Sequence, residues 1–141
     1  MEALTQDVIY NKTPQELTSF LYEGIMENLE EAIDFIEKKN FVEANVKMQK
    51  ANDILHRLGV GLKYEAGPIA EQLDTLYNFM ANELIVANVK KDTDKITGIL
   101  NLVEQLSQAW NEALKQNASA VKPKINKKVA AYEASIMRVQ Y

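Results

Sequence analysis

Apolar residues recur at intervals of three and four along most of the chain, in four runs separated by short breaks. This spacing places the apolar side chains of each run on one face of an α-helix. No segment alternates apolar and polar residues with the two-residue period of a half-buried β-strand. The pattern therefore predicts four amphipathic helices, over about residues 14–39, 41–62, 68–90 and 93–116.

The breaks between the runs contain residues that start and stop helices. Thr13 is a favourable N-cap, and Pro14 suits the first position of a helix. Asn40 separates the first two runs, and Asp92 supplies a capping oxygen ahead of the fourth. So short a connection between the first two helices makes them antiparallel neighbours.

The two halves of the chain also echo one another at a fixed shift in sequence. Leu21-Tyr22, Leu29 and Ala32 recur 55 residues later as Leu76-Tyr77, Leu84 and Ala87. We interpret the echo as two helical hairpins whose apolar seams bury each other. The predicted fold class is all-α, an antiparallel up-down four-helix bundle with an N-terminal apolar arm and a C-terminal amphipathic tail.

Composition excludes most catalytic chemistry. The chain has no cysteine and a single histidine, His56, so it lacks a thiolate nucleophile and any site built on several imidazoles. Asp53 and His56 form one acid-x-x-His pair, whereas a di-iron bundle needs two such pairs and further glutamates. No Gly-rich phosphate loop or Ser-His-Asp arrangement is present. We expect no enzymatic activity, no cofactor and no bound metal.

Charge is distributed unevenly between the body and the end of the chain. Residues 1–117 carry 11 Lys and Arg against 19 Asp and Glu, whereas residues 118–141 carry five basic residues against one Glu. The acidic body disfavours nucleic acid as a partner. With neither an apolar run long enough to insert in a membrane nor a secretory type of N-terminus, we expect a cytoplasmic protein.

Two apolar segments lie outside the four periodic runs. Val8, Ile9 and Tyr10 precede the first helix cap and must pack on a surface that could also accept another chain. Residues 118–126 contain Pro123 and read as a linker from a bundle domain, 1–117, to a tail, 127–141. In the tail, one helical face carries the four candidate docking residues, which are Val129, Tyr132, Ile136 and Val139.

Tyr22 and Tyr77 occupy matching positions at the border of the apolar stripe. One reading places them at the rim of the core with their hydroxyls in water. The other has them line a groove for an apolar helix of another protein. The sequence leaves both readings open.

The order of the motifs resembles a known family, the flagellar secretion chaperone FliS. The resemblance covers about residues 5–115 and rests on Thr13-Pro14-x-Glu16-Leu17, Leu21-Tyr22-x-Gly24, Leu76-Tyr77-x-x-Met80-x-x-x-Leu84-x-x-Ala87-Asn88 and Ala109-Trp110. It implies a helical bundle that binds the C-terminal segment of newly made flagellin, prevents its premature polymerisation and delivers it to the flagellar type III export apparatus. A flagellar export gate protein is a further candidate partner.

The resemblance also implies roles for individual residues. The segment with Val8, Ile9 and Tyr10 would cover part of the client groove until flagellin displaces it. Tyr22, Tyr77 and Asn88 match family positions and are candidate client-binding residues. The basic tail goes beyond the family pattern.

A hypothesis from a different class remains beside the chaperone. The chain could be a helical oligomerisation or adaptor module, in which the tail docks on a neighbouring copy and forms a homodimer. Deletion of residues 118–141 would then convert a dimer to a monomer.

Overall fold

The computed structural model describes residues 14–62 and 68–119, and every secondary-structure element in these ranges is an α-helix. The helices are α1 (Pro14–Glu37), α2 (Phe41–Leu62), α3 (Pro68–Lys90) and α4 (Thr93–Ser119). The end of α1 lies two residues before the predicted position, and the end of α4 lies three residues after it. None of these helices is long and apolar enough to cross a membrane.

The turn between α1 and α2 is a Schellman motif. Lys39 adopts a left-handed conformation with φ of 61°. The Lys39 and Asn40 amides donate to the carbonyls of Ile36 and Phe35, at 2.9 and 2.8 Å. These bonds satisfy carbonyls that the end of a helix otherwise leaves without partners. The Asn40 side chain then caps α2 by accepting from the Glu43 amide at 3.4 Å.

The turn between α3 and α4 follows the same design. Lys91 is left-handed with φ of 51°, and the Asp92 amide donates to the Ala87 carbonyl at 3.0 Å. The Asp92 carboxylate accepts from the Lys95 amide at 3.1 Å and so caps α4. Both tight turns reverse the chain, which makes the helices on either side antiparallel.

The four helices form the predicted up-down bundle. α1 packs closely on α2 and α4, and α2 packs closely on α3, whereas α3 and α4 pack least closely of the four neighbouring pairs. The core is a continuous apolar cluster, in which Trp110, Ile25 and Met80 are fully buried. The all-α four-helix bundle is thus confirmed for the described residues.

Candidate functional site

Helix α3 is apolar on its outer sides as well as on its core face. Phe79 is 50% exposed and Val86 is 40% exposed, while Ile85 and Val89 are exposed still further. A bundle helix with one solvated face normally carries polar residues there. Adjacent exposed apolar side chains of this kind mark a surface that another chain covers.

Phe79 and Val86 lie on the side of α3 that faces α4. The Lys95 ammonium on α4 forms an ion pair with the Glu83 carboxylate on α3 at 2.8 Å, so Glu83 points towards α4. Phe79 lies four residues before Glu83 and Val86 three residues after it. Residues at these spacings share a helix face, so both apolar side chains flank the ion pair.

The facing wall on α4 is also apolar. Gly98, Leu102 and Leu106 lie three, seven and eleven residues after Lys95 and therefore share its helix face. A Cβ atom added at Gly98 would meet nothing within 4 Å, which shows that the space beside it is open. Leu102 and Leu106 are only partly buried against the core.

These residues define a shallow groove along the most loosely packed pair of helices. The α3–α4 groove consists of Leu76, Phe79 and Val86 on α3 and Gly98, Leu102 and Leu106 on α4. The Glu83–Lys95 pair crosses between its walls, and the bond and charge of Glu83 raise the pKa of the Lys95 ammonium above its ordinary value. The ion pair holds the two helices together where apolar packing is sparse.

A second groove lies between α2 and α3 and has a different chemical character. It contains a cavity of about 260 Å³, and it is lined by Leu55, His56, Gly59, Val60, Asp74, Tyr77, Asn78 and Ala81. Within the described ranges, no group of three or more His, Asp or Glu residues is arranged to hold a metal ion. The α2–α3 groove, defined by these lining residues, therefore combines an apolar floor with a polar rim.

The structure places Tyr22 and Tyr77 inside the bundle. Tyr22 has no exposed surface, Tyr77 is 3% exposed, and their hydroxyls form a hydrogen bond of 2.7 Å with each other. Of the two readings, the one that places the hydroxyls in water at the rim does not hold, because the two matching positions meet across the core. Side chains enclosed in this way can contact a client only if the bundle opens, so their client-binding role stays an untested prediction.

Asn88 links three parts of the chain near the α3–α4 turn. Its side-chain amide nitrogen donates a hydrogen bond to the Asn45 side-chain oxygen at 2.6 Å. Its own side-chain and backbone oxygens accept from the Lys91 ammonium at 2.6 and 2.5 Å. Asn88 thereby joins α3 to α2 and to the left-handed Lys91, a structural role that is compatible with its position in the motif.

The remaining candidate residues fall outside the described ranges. They are Val8, Ile9 and Tyr10 before α1, and Val129, Tyr132, Ile136 and Val139 in the tail. Residues 118 and 119, the first two of the predicted linker, belong to α4, whereas the rest of the linker to 126 and the tail 127–141 remain predictions.

Sequence reasoning overlooked the outer apolar residues of α3. The signal was present in the stretch Phe79–Val89, where apolar residues occur on every side of the helix instead of in one stripe. The core stripe of Leu73, Tyr77, Met80, Leu84 and Ala87 accounts for a helix by itself, so periodicity alone does not single out the additional apolar positions.

Comparison with known proteins identifies a family for the chain. A family model described as flagellar protein FliS matches residues 2–117, which is most of the chain. The chain belongs to the FliS family. The match to FliS includes all four helices except the last residues of α4, and it ends before the basic tail.

Curated relatives support the same assignment. The chain is 28% identical to the flagellar secretion chaperone FliS of Bacillus subtilis over 112 residues, 79% of this chain and 84% of that protein. It is 29% identical to the protein of the same name from Vibrio cholerae, over 71% of this chain and 74% of that protein. The Campylobacter jejuni FliS is 29% identical over 78% of this chain and 87% of its own length.

Proposed function

We propose that this member of the FliS family is a cytoplasmic export chaperone for flagellin. It binds the disordered C-terminal segment of flagellin, prevents premature polymerisation and delivers the subunit to the flagellar type III export apparatus. The observation that carries the proposal is the α3–α4 groove, because Phe79 and Val86 expose apolar surface along a loosely packed pair of helices.

The groove suits an amphipathic helix. Phe79 and Val86 are seven residues apart on one face, which corresponds to about 10 Å or two helical turns. An incoming helix presents apolar side chains at the same spacing of three, four and seven residues. A client segment of two or three turns would therefore cover both side chains together with Leu102 on the opposite wall.

A disordered client also explains why the groove must be apolar. A segment that folds on binding loses conformational entropy, and this cost must be offset by buried apolar area. An apolar surface accomplishes this without a cofactor or a catalytic group. The proposal accordingly assigns no enzymatic activity to the chain.

The N-terminal apolar residues fit the proposal as a displaceable cover. Val8, Ile9 and Tyr10 precede α1, and Ser19 near the start of α1 donates a hydrogen bond to Asn111 near the end of α4. The start of α1 thus lies at the end of the bundle that holds the last turns of α4. From there we propose that it covers part of the α3–α4 groove until the client replaces it.

Co-purification tests the client assignment. Full-length flagellin should be retained by the chain, and flagellin that lacks its C-terminal segment should not. Equal retention of both would contradict the proposal.

A pair of substitutions tests the groove. Phe79→Ser with Val86→Ser should weaken flagellin binding by at least about tenfold, because central apolar contacts carry most of the binding free energy. Ile85→Ser with Val89→Ser is the control, since these residues are also apolar, are more exposed, and lie further round α3 from the Glu83 side than Phe79 and Val86 do. An equal loss in both variants would show that the client does not select the α3–α4 groove.

A further inference from the structure

We propose that the basic tail, residues 127–141, docks as an amphipathic helix in the α2–α3 groove of its own chain. The docked tail forms a fifth helix on the bundle and leaves the α3–α4 groove accessible. The inference concerns the part of the chain after the FliS match, which ends at residue 117. It does not depend on the identity of the client.

The α2–α3 groove offers an apolar floor that matches the length of the tail stripe. Val60 lines the cavity and is exposed, and Ile85, which is also exposed, lies one turn beyond Ala81 on α3. From Glu71 to Ile85 the α3 wall is about 21 Å long. The apolar tail residues from Val129 to Val139 would span about 15 Å of helix, so one face of the tail fits within the groove.

Three exposed carboxylates lie along the rim of the groove, with the exposed Arg57 one turn after Asp53 on α2, and the Asp74 carboxylate accepts a hydrogen bond from the Asn78 side chain at 3.4 Å. Asp53 lies on the same helix face as His56 and Val60, and Glu71 lies on the same face as Asp74. Asp53, Glu71 and Asp74 are exposed and form no ion pair with any residue that the structure describes. The tail begins with Lys127 and Lys128, which would approach these carboxylates.

The other groove lacks this complementarity. Near the α3–α4 groove, Glu83 is already paired with Lys95, and Lys90 adds a second cation at the end of α3. These charges lie at the end of α3, whereas Glu71 and Asp74 lie near its start, beside the end of α4. Charge therefore favours the α2–α3 groove for the tail, although both grooves are apolar.

The end of α4, which precedes the tail in sequence, lies at the same end of the bundle as the start of α3. Both α2 and α4 are antiparallel to α3, so the ends of α2 and α4 lie together beside the start of α3. Residues 120–126, if extended, span at most about 23 Å. In a bundle whose neighbouring helix axes are 8–10 Å apart, diagonal helices are separated by roughly 14 Å. This segment can therefore reach the end of the α2–α3 groove that lies beside the start of α3.

Attachment to the same chain favours docking within one molecule over docking on a second copy. A short tether holds the tail near its groove at an effective concentration of about 1 mM or more. Docking on another molecule competes only when the protein concentration approaches that value.

Disulfide cross-linking in the full-length chain tests the proposal, because the natural sequence contains no cysteine. The first variant carries Val60→Cys and Val129→Cys, and the matched control carries Ala109→Cys and Val129→Cys. Val60 on α2 and Ala109 on the α3-facing side of α4 are both exposed. They lie at similar distances along the bundle axis from the α1–α2 turn and the α3–α4 turn. In dilute protein under mild oxidation, we expect the first pair to form an intramolecular disulfide at least about tenfold faster.

Several outcomes would overturn the proposal. Equal rates in both pairs would mean that the tail has no preferred site, and faster reaction at Ala109 would place it in the α3–α4 groove. A product that is mainly a covalent dimer would place the tail on a second copy. Circular dichroism of each variant verifies the helical fold, and Asn78→Cys with Val129→Cys provides a second pair that reports on the α3 wall.

Charge substitutions then test the proposed recognition. Asp53→Asn with Asp74→Asn should slow the Val60–Val129 cross-link several-fold, and added salt should slow it in the unsubstituted groove. Glu104→Gln with Glu112→Gln removes two exposed carboxylates of α4 and is the matched control. A cross-linking rate that is insensitive to both the Asp substitutions and salt would contradict the charge-guided docking.

Discussion

Two tyrosine hydroxyls meet inside the core, which also buries Thr18 and Ser107. Tyr22 and Tyr77 form a hydrogen bond of 2.7 Å in a region where neither side chain has appreciable exposure. A buried hydroxyl that loses its partner keeps the cost of leaving water, whereas removal of both hydroxyls also removes that cost. The bond therefore favours one alignment of α1 with α3, the diagonal pair of the bundle.

A double-mutant cycle tests the coupling of these hydroxyls. Tyr22→Phe should lower the free energy of unfolding by about 1–2 kcal/mol, and Tyr77→Phe should have a similar effect. The double variant should be destabilised by less than the sum of the two single variants. Urea unfolding of the four proteins measures the difference, and strictly additive losses would show that the hydroxyls are not coupled.

The tyrosine pair also shows where sequence reasoning stops at the residue scale. The echo between Leu21-Tyr22 and Leu76-Tyr77 correctly paired the two positions. Periodicity gives the direction of a side chain only approximately, and a residue at the border of an apolar stripe can lie at the rim or inside. Burial was decided by the approach of α1 to α3, which is a tertiary property.

At the scale of single elements, both tight turns use lysine where glycine is usual. Lys39 and Lys91 adopt positive φ, a conformation that costs a residue with a Cβ atom more than it costs glycine. The Lys91 ammonium binds Asn88, which offers a compensating contact. Lys39 is exposed, and its side chain makes no such contact with the described part of the chain.

Lys39→Gly should therefore stabilise the protein. We expect the free energy of unfolding to rise by about 0.5–1 kcal/mol, since relief of the left-handed conformation exceeds the greater freedom of glycine in the unfolded chain. Lys50→Gly, in the middle of α2, is the control and should lower stability by about 1 kcal/mol. Thermal and urea unfolding of the two variants measure these effects, and destabilisation by Lys39→Gly would refute the explanation.

The Glu83–Lys95 pair leads to a prediction about the contact between α3 and α4. Glu83 raises the pKa of Lys95 in the folded state. A raised lysine pKa contributes stability that is complete below the pKa of the unfolded chain and disappears as pH rises through the folded pKa. The stability difference between the natural chain and Lys95→Met should thus be constant near neutrality and decrease in strongly alkaline solution.

Unfolding measured between neutral and strongly alkaline pH tests this dependence. Lys50→Met is the control, because Lys50 is exposed and has no ion pair among the residues that the structure describes. The stability difference between the natural chain and Lys50→Met should not decrease in strongly alkaline solution. A Lys95→Met difference that stays constant through the alkaline range would mean that the ion pair does not link the two helices.

Helix formation was the most predictable property at this scale. Pro14 is the first residue of α1, and the Asn40 and Asp92 side chains cap α2 and α4, so the signals for these starts lie within a few neighbouring residues. The ends of α1 and α4 were harder to predict from the sequence. Lys39 had to be left-handed for α1 to end at Glu37, and lysine carries no sequence signal for that conformation.

At the scale of the whole molecule, the bundle could be predicted but its grooves could not. Four amphipathic helices with short turns have few ways to bury their apolar stripes, and this constraint fixes the up-down arrangement. Which neighbouring pair packs loosely depends on small differences in side-chain fit. The openness beside Gly98 and the exposure of Phe79 appear only when all four helices are assembled.

Charge is unevenly distributed along the sequence, and the two grooves of the bundle also differ in charge. Among the residues that the structure describes, the carboxylates at the rim of the α2–α3 groove form no ion pair, while Glu83 beside the α3–α4 groove is paired with Lys95. We therefore expect a basic segment and an apolar client to select different grooves on one bundle. Binding measurements should separate the two, because charge-guided docking is weakened by salt and apolar burial is not.

Calorimetry of client binding tests whether apolar burial drives the interaction of the whole molecule. If a disordered flagellin segment folds on the α3–α4 groove, the heat capacity change of binding should be negative, on the order of −0.2 to −0.5 kcal/mol/K. Phe79→Ser with Val86→Ser should make the value smaller in magnitude, whereas Ile85→Ser with Val89→Ser should leave it unchanged. Titrations at several temperatures and two salt concentrations measure these quantities. A heat capacity change near zero, combined with binding that salt abolishes, would show that the client is held by charge and not by the apolar groove.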